Sequence, residues 1–547
     1  MDPTKIKFKT FHPSNPSFHW KLWVRTASHE GRFYHIYWRR ICVVIALLFL
    51  AGWLAVAAAA WANIKYRRGF SEARYLDLAV PWRWGRYRAA VGAHYLALGR
   101  LGLKRGDPDA ALTYLNASLA LAPGNLESRR LAALAQYRIG FKASALSLLR
   151  EGVGPAADAG DEDFIREFFD VAFDLQADDE AFTVGRLLLP QKADALRIHR
   201  LIALQVAMAR YNRGHYVEAQ QILADWNLGD SPEGEVLFAL CYVERGMREI
   251  AVRRLEGDLA RFERRDGIYV ALERLAREQG LPQEVLRYAL LREMAESADP
   301  QARIDLIYAY HALARSAEVQ REINSFCADF GSDANALAML AQFAADTGEP
   351  DAAERARDLA QTRGFFTGDF ALRIAQASIV AGDYRRAVRT VALAQSERQP
   401  LGRAYEAILA GLKAVALFGA GDGGAKLAFS DFLPLAGALR APAGLFLVDQ
   451  LRRAGFAEQS RQLLERVCAE HPDDQPALTA LIRSDAAGGN RTGLVANLPR
   501  ILKMRRPARD ALEASLKWLD PAKDAALRVQ VTEALADSPA GPLPNGL

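Results

Sequence analysis

YLALGRLGLKRGDPDAALTYLNASLALAP, Tyr95 to Pro123, is the stretch from which the fold is read. Two amphipathic apolar segments flank Gly106, small residues stand at Gly99 and Ala111, and Leu98 and Leu115 supply larger apolar groups. Antiparallel helices approach closely only where the side chains at their crossing are small. A glycine between them supplies the left-handed conformation that ends the first helix. The stretch therefore reads as a helical hairpin.

The same punctuation recurs along the chain. A glycine falls between two amphipathic stretches at Gly106, Gly140, Gly214, Gly246, Gly280, Gly348, Gly382, Gly455 and Gly489. The intervals are 34, 74, 32, 34, 68, 34, 73 and 34 residues. Three are close to double, which places a replaced glycine near Asp178, Ser316 and Ala420. Alanine stands five positions after the glycine at Ala111, Ala145, Ala219, Ala251, Ala353 and Ala387, and a small residue seven before it at Gly99, Ala133, Ala207, Ala239, Ala341 and Ala375. A fixed period of this size marks a repeat array, in which each unit buries its apolar faces against its neighbours.

The chain resembles the tetratricopeptide repeat (TPR) family. Tyr95, Leu98, Gly99, Gly106, Ala111, Leu115, Ser118 and Pro123 stand at the family's spacing, GHYVEA (Gly214 to Ala219) and GDYRRA (Gly382 to Ala387) are typical of its inter-helix turns, and Pro123 and Pro472 fall where its second helices end. Units near 160–195, 300–330 and 405–435 depart from the pattern. The resemblance implies an all-α fold with a right-handed superhelix of 11–12 hairpins and a concave groove lined by each repeat's first helix. Its candidate partner-binding residues are Arg100, Lys104, Arg130, Arg138, Tyr211, Asn212, Arg274, Gln342 and Gln376, suited to hold an extended peptide by its backbone and acidic side chains. The run GVGPAADAGDED, Gly152 to Asp163, is expected to be a long exposed loop, and DSPAGPLPNGL from Asp537 to be disordered.

Upstream of the repeats, Ile41 to Trp61 holds 21 residues without a charge. A helix of that length spans ~31 Å, about one bilayer core. Trp38, Arg39 and Arg40 rim one end, and Trp61, Lys65, Tyr66, Arg67 and Arg68 the other; Trp82 and Trp84 in PWRWGRYR add a second interfacial patch. Ala60-Trp61-Ala62 resembles a signal-peptidase site, but the polar region before the apolar stretch runs to 40 residues, so an uncleaved signal anchor is the reading. Eight Lys/Arg precede the span and four follow closely, which favours a cytoplasmic N-terminus and a body outside the cytoplasm. The expected layout is a basic, aromatic tail over 1–40, a transmembrane helix over 41–62, a juxtamembrane and capping segment over 63–92, the solenoid over 93–535 and a tail over 536–547.

Charge is divided unevenly. Residues 1–74 carry twelve Lys/Arg against three acidic residues, +9, whereas the whole chain is +5, so the remaining 473 residues are −4. A nucleic-acid-binding body would need clustered positive charge, so nucleic acid is not an expected partner. The basic tail (Lys5, Lys7, Lys9, Phe11, Phe18, Trp20, Trp23) suits anionic lipid or a docking partner. Arg253, Arg254, Arg261, Arg264 and Arg265 are interleaved with Glu256, Asp258, Glu263 and Asp266, the pattern of a mixed, solvated helix face.

Chemistry-bearing motifs are missing from the sequence. No phosphate loop, dinucleotide fingerprint, zinc-protease motif or nucleophile elbow is present. Histidines stand singly, and the four cysteines (Cys42, Cys241, Cys327, Cys468) are far apart, with pairing among the last three left open. Asp178-Asp179 and Asp473-Asp474 fall in expected turns, where aspartate caps helices. The expectation is a non-enzymatic, cofactor-free, membrane-tethered TPR scaffold that binds protein partners. The setting would be a bacterial inner-membrane complex of the secretion or polysaccharide-export kind, the bacterial source inferred from the Ala, Arg and Leu bias. A structural subunit of a large membrane complex, or a glycan-binding export component, is the alternative.

Overall fold

The computed structural model describes residues 22–28, 31–67, 70, 74–396 and 402–537. Side chains of 24–28, 31–36, 536 and 537 fall outside that description, as do the basic tail before residue 22, Arg68, and the C-terminal tail from residue 538. The chain divides into two compact units, Met1–Val171 and Ala172–Leu547. The described residues hold twenty-eight α-helices, twenty-six of which pair into thirteen helical hairpins.

The first unit opens with an antiparallel β-hairpin, Trp23–Ser28 on Gly31–Ile36, in a region whose composition suggested only a tail. The helix Trp38–Ala62 follows and continues as a π-turn over Asn63–Arg67. It is long and apolar enough to cross a membrane, with a mean hydropathy of 2.8 over its most apolar window. The next segment doubles back along it. The short helix Tyr75–Ala79 lies against its second half. Trp53 Nε1 donates to Ala79 O at 2.7 Å and Tyr75 OH to Leu54 O at 3.1 Å. Trp84 stacks on Trp53 at 5.9 Å between centroids while its Nε1 donates to Leu78 O at 3.0 Å.

Hairpins Trp84–Lys104/Pro108–Leu121 and Leu126–Ile139/Lys142–Ala159 come next. Gly99 is where the first pair closes: a Cβ there would lie 2.6 Å from the Leu115 side chain. Buried Ser118 Oγ donates to Gly92 O at 2.8 Å and shares a 2.8 Å hydrogen bond with Ser128 Oγ, tying one hairpin to the next. The expected loop at Gly152–Asp163 is not a loop. Residues through Ala159 belong to a helix, with Pro155 inside it and Gly152, Val153 and Ala156 buried. Gly152 is a packing glycine, since a Cβ there would fall 2.5 Å from the Phe164 ring and 2.6 Å from Arg129 Cδ.

In the second unit, first helices of successive hairpins pack on one another: Ala334–Thr347 on Gly368–Val380, Gly368–Val380 on Arg403–Gly419, and Gln475–Ala487 on Arg509–Leu516. Second helices of successive hairpins make few contacts with one another. The interior is a series of aliphatic and aromatic clusters; Phe326, Phe343, Leu412, Phe432 and Leu447 are at most 1% exposed. First-helix starts are capped by Asp299, Asp333 and Asp474, each accepting backbone N–H bonds.

All nine glycines of the period adopt positive φ, between 66° and 101°. The double intervals resolve as units whose left-handed residue is Gln176 (φ 54°), Ala314 (φ 54°) and Gly421 (φ 67°). These lie within two residues of the expected positions. The hairpin count exceeds expectation by one: Arg509–Leu516 pairs with Ala525–Asp537 through a turn that has no glycine, held instead by Asp520 and Asp524 side chains accepting backbone N–H bonds.

Candidate partner-binding surface

Of the nine groove candidates, four fall in the first unit and five in the second, and each set is described within its own unit. In the first unit, Arg100 and Lys104 on Trp84–Lys104 neighbour Arg130 and Arg138 on Leu126–Ile139. Arg100 is paired with Glu127, and Arg130 lies 3.8 Å from Glu167. Lys104 and Arg138 are exposed. Burial raises the Glu167 carboxyl above its ordinary range although Arg130 and Arg138 pull it down. The four cations sit on two adjacent first helices, two of them in the last turns, where positive charge also complements the helix dipole.

The second unit's candidates are engaged by their own neighbours. Arg274 pairs with Glu278 at 3.0 Å, and Gln342 donates to Asp346 at 2.6 Å, an acid that also accepts from Tyr308 OH at 2.7 Å. Gln376 accepts from Arg373 at 3.0 Å and is 8% exposed, so it does not face an open groove. Tyr211 is 5% exposed, with Arg506 over its ring, and Asn212 donates to Asp178 at 2.9 Å. Both are taken up by the chain itself.

Two clusters were not legible in the sequence. Arg292, its side chain 4% exposed, bridges Asp266 and Asp305 and lies 3.6 Å from Asp299. Beside it Glu273 is buried with no hydrogen-bond partner for Oε1. Burial, reinforced by Asp305, raises the Glu273 carboxyl to about 7 against the pull of Arg292 and Arg277. The second cluster joins Asp178 to Arg505. Asp178 was expected to cap a helix, but it is fully buried and makes no cap hydrogen bond. Arg254 and Arg261, from the mixed face, are consumed in ion pairs with Glu235, Asp230 and Asp258.

At the interface rims, Arg40 lies over Tyr37 (4.7 Å) and Lys65 over Trp61 (5.0 Å) and Tyr66 (5.8 Å), while Trp38 and Trp82 are 60% and 86% exposed. Trp84 is instead turned onto the apolar helix Trp38–Ala62. The four cysteines are free thiols; burial pushes Cys241 and Cys468 up to about 12, which leaves them unreactive at neutral pH.

No protein-family model matches the chain, and no curated protein matches it either. Loosely similar solved structures are a tetratricopeptide repeat protein from Parabacteroides merdae (12% identity, TM-score 0.30, 60% of this chain and 99% of that one) and yeast Tom70 (13%, TM-score 0.30, 82% and 95%). The Cut9-Hcn1 hetero-tetramer of the APC/C is another (13%, TM-score 0.23, 81% and 96%). Likenesses this distant carry no argument about family or function. The repeat architecture rests on the chain's own hairpins and their left-handed turns.

Proposed function

We propose that the protein is a non-enzymatic scaffold, tethered by its apolar helix, that holds segments of protein partners on first helices of its solenoid. The observation that carries this reading is the basic row Arg100, Lys104, Arg130 and Arg138 on two adjacent first helices, in the same unit as the helix Trp38–Ala62. A row of guanidinium and ammonium groups of this kind suits acidic side chains and backbone carbonyls of an extended segment. The juxtamembrane tryptophans support interfacial seating of the anchor, with the basic tail on anionic lipid. The Ala, Arg and Leu bias supports a bacterial inner membrane, and the excess of Lys/Arg before the span supports a cytoplasmic N-terminus with the solenoid on the other side. Assembly of an envelope complex, of the secretion or polysaccharide-export kind, is the role this combination fits.

The test is charge reversal. Lys104→Glu alone is the clean comparison for the full-length chain carrying R100E, K104E and R130E, because Arg100 and Arg130 are ion-paired whereas Lys104 has no ion pair among the described residues. After cross-linking in cells and mild detergent extraction, the triple variant is expected to recover partner proteins at least tenfold less than wild type, and Lys104→Glu several-fold less. Both should keep their helicity by circular dichroism. Unchanged recovery with the folded variants would sink the proposal.

A further inference from the structure

In a solenoid each hairpin touches its neighbours, so contacts across hundreds of residues are not required by the fold. Among the described residues, the second unit makes hydrogen bonds of this kind around one segment. The segment Lys503–Pro507, between the helices Arg491–Ile501 and Arg509–Leu516, reaches the turn ends of hairpins between Phe173 and Glu244.

The contact is built around two consecutive arginines. Arg505 forks onto both oxygens of Asp178, at 2.7 and 2.6 Å, donates to the Phe173 carbonyl at 2.7 Å and lies 5.7 Å from the Phe173 ring. Asp178 is fully buried and is oriented by Asn212 and by Arg213, 3.4 Å away. Arg506 lies 4.6 Å over the Tyr211 ring, donates to Tyr211 OH at 3.3 Å and pairs with Glu244. Arg213 also donates to the Lys503 carbonyl at 3.1 Å. Each guanidinium thus meets one carboxylate and one aromatic face, the arrangement that selects arginine over lysine.

Backbone strain marks both sides. Only four non-glycine residues among those described have positive φ, and two are here: Arg506 at 29° and Gln176 at 54°. Gln176 is one of the residues standing in for a repeat glycine, and its side chain donates to the Asp473 carbonyl at 3.4 Å. Conformations of this kind persist where surrounding contacts outweigh them, and they cluster at clamps and switches. The interactions described here are polar and charge-assisted, with aromatic faces as platforms. Beside the pair, Met504 and Ala508 pack partly buried against the core of the last hairpins, so it is the two guanidiniums, not the whole segment, that another arginine pair would displace.

We propose that Phe173, Asp178, Tyr211 and Glu244 form a binding site for a paired-arginine polypeptide segment, and that this chain's own Arg505-Arg506 loop fills it. The site goes beyond the partner-holding role proposed for the first unit and does not depend on it. Occupied in cis, it clasps the second unit; a partner presenting adjacent arginines competes for the same two carboxylates and displaces the two guanidiniums.

A fluorescent peptide of residues 499–511 tests this with the full-length chain in detergent. R505A/R506A is expected to bind the peptide saturably and at least tenfold more tightly than wild type. The same peptide with both arginines replaced by lysine should bind at least tenfold more weakly. Equal binding to wild type and variant, or none to a variant that keeps its circular dichroism spectrum, would overturn the proposal. Should that variant fail to fold, trypsin decides: cleavage after Arg505 should be at least tenfold faster in D178N/E244Q than in wild type, and equal rates would refute the clasp.

Discussion

Arg292→Ala is expected to destabilise the full-length protein by about 2–3 kcal/mol, less than a fully buried ion pair would lose, because Asp266 and Asp299 are partly solvated. Arg292, on the second helix Pro282–Ala295, is held among Asp266 and Asp305 of the first helices before and after it and Asp299, the N-cap of the latter. Without the guanidinium these acids and the nearby Glu273 repel one another across the stacking interface. Stability in a repeat array is a sum of hairpin terms and nearest-neighbour interfaces, so the loss falls on one junction. Urea unfolding of the variant should separate the hairpins before residue 300 from those after it more widely than in wild type. A loss of less than about 1 kcal/mol with no wider separation would show that the carboxylates are solvated without Arg292.

Glu273→Gln carries the opposite sign and depends on pH. The folded carboxyl titrates at about 7, against an ordinary value of 4.5 in the unfolded chain. Between these values the unfolded chain releases a proton that the folded chain keeps. Stability therefore falls as pH rises from about 4.5 to about 7 and is flat beyond. Glutamine keeps the shape and cannot ionise, so Glu273→Gln should be about 2–3 kcal/mol more stable than wild type at pH 8. At pH 4 the two should match. Thermal melts of the full-length chain across this range check both points; an equal difference at pH 4 and pH 8 would mean that packing, not ionisation, sets the effect.

Local signals in the sequence carried the fold, and non-local ones were silent. The glycine period was readable because a left-handed turn favours glycine at each hairpin tip. It was even readable through Gln176 and Ala314, because neighbouring units fixed where the missing glycine belonged. The same rule misled at Gly152–Asp163. Glycine and proline there suggested a loop, yet Gly152 answers to the Phe164 ring and Pro155 is accommodated within the helix. The last hairpin lacked a turn glycine and was missed for that reason. At the surface, residue type and phase placed Arg100, Lys104, Arg130 and Arg138 on adjacent helices. Neither could show that Tyr211 lies under an arginine nearly 300 residues away or that Asn212 is spent on the buried Asp178, since nothing local to either segment encodes the pairing.

The central claim is that a tethered solenoid holds protein segments on the first helices beside its anchor. A photoreactive amino acid placed at Lys104 in the full-length chain, irradiated in intact cells, tests it most directly, with Thr113 on the second helix of the same hairpin as the control position. The account predicts a discrete polypeptide adduct at Lys104, absent at Thr113 and lost with R100E/R130E. No polypeptide adduct at Lys104 from membrane-bound chain, or equal adducts at both positions, would contradict it.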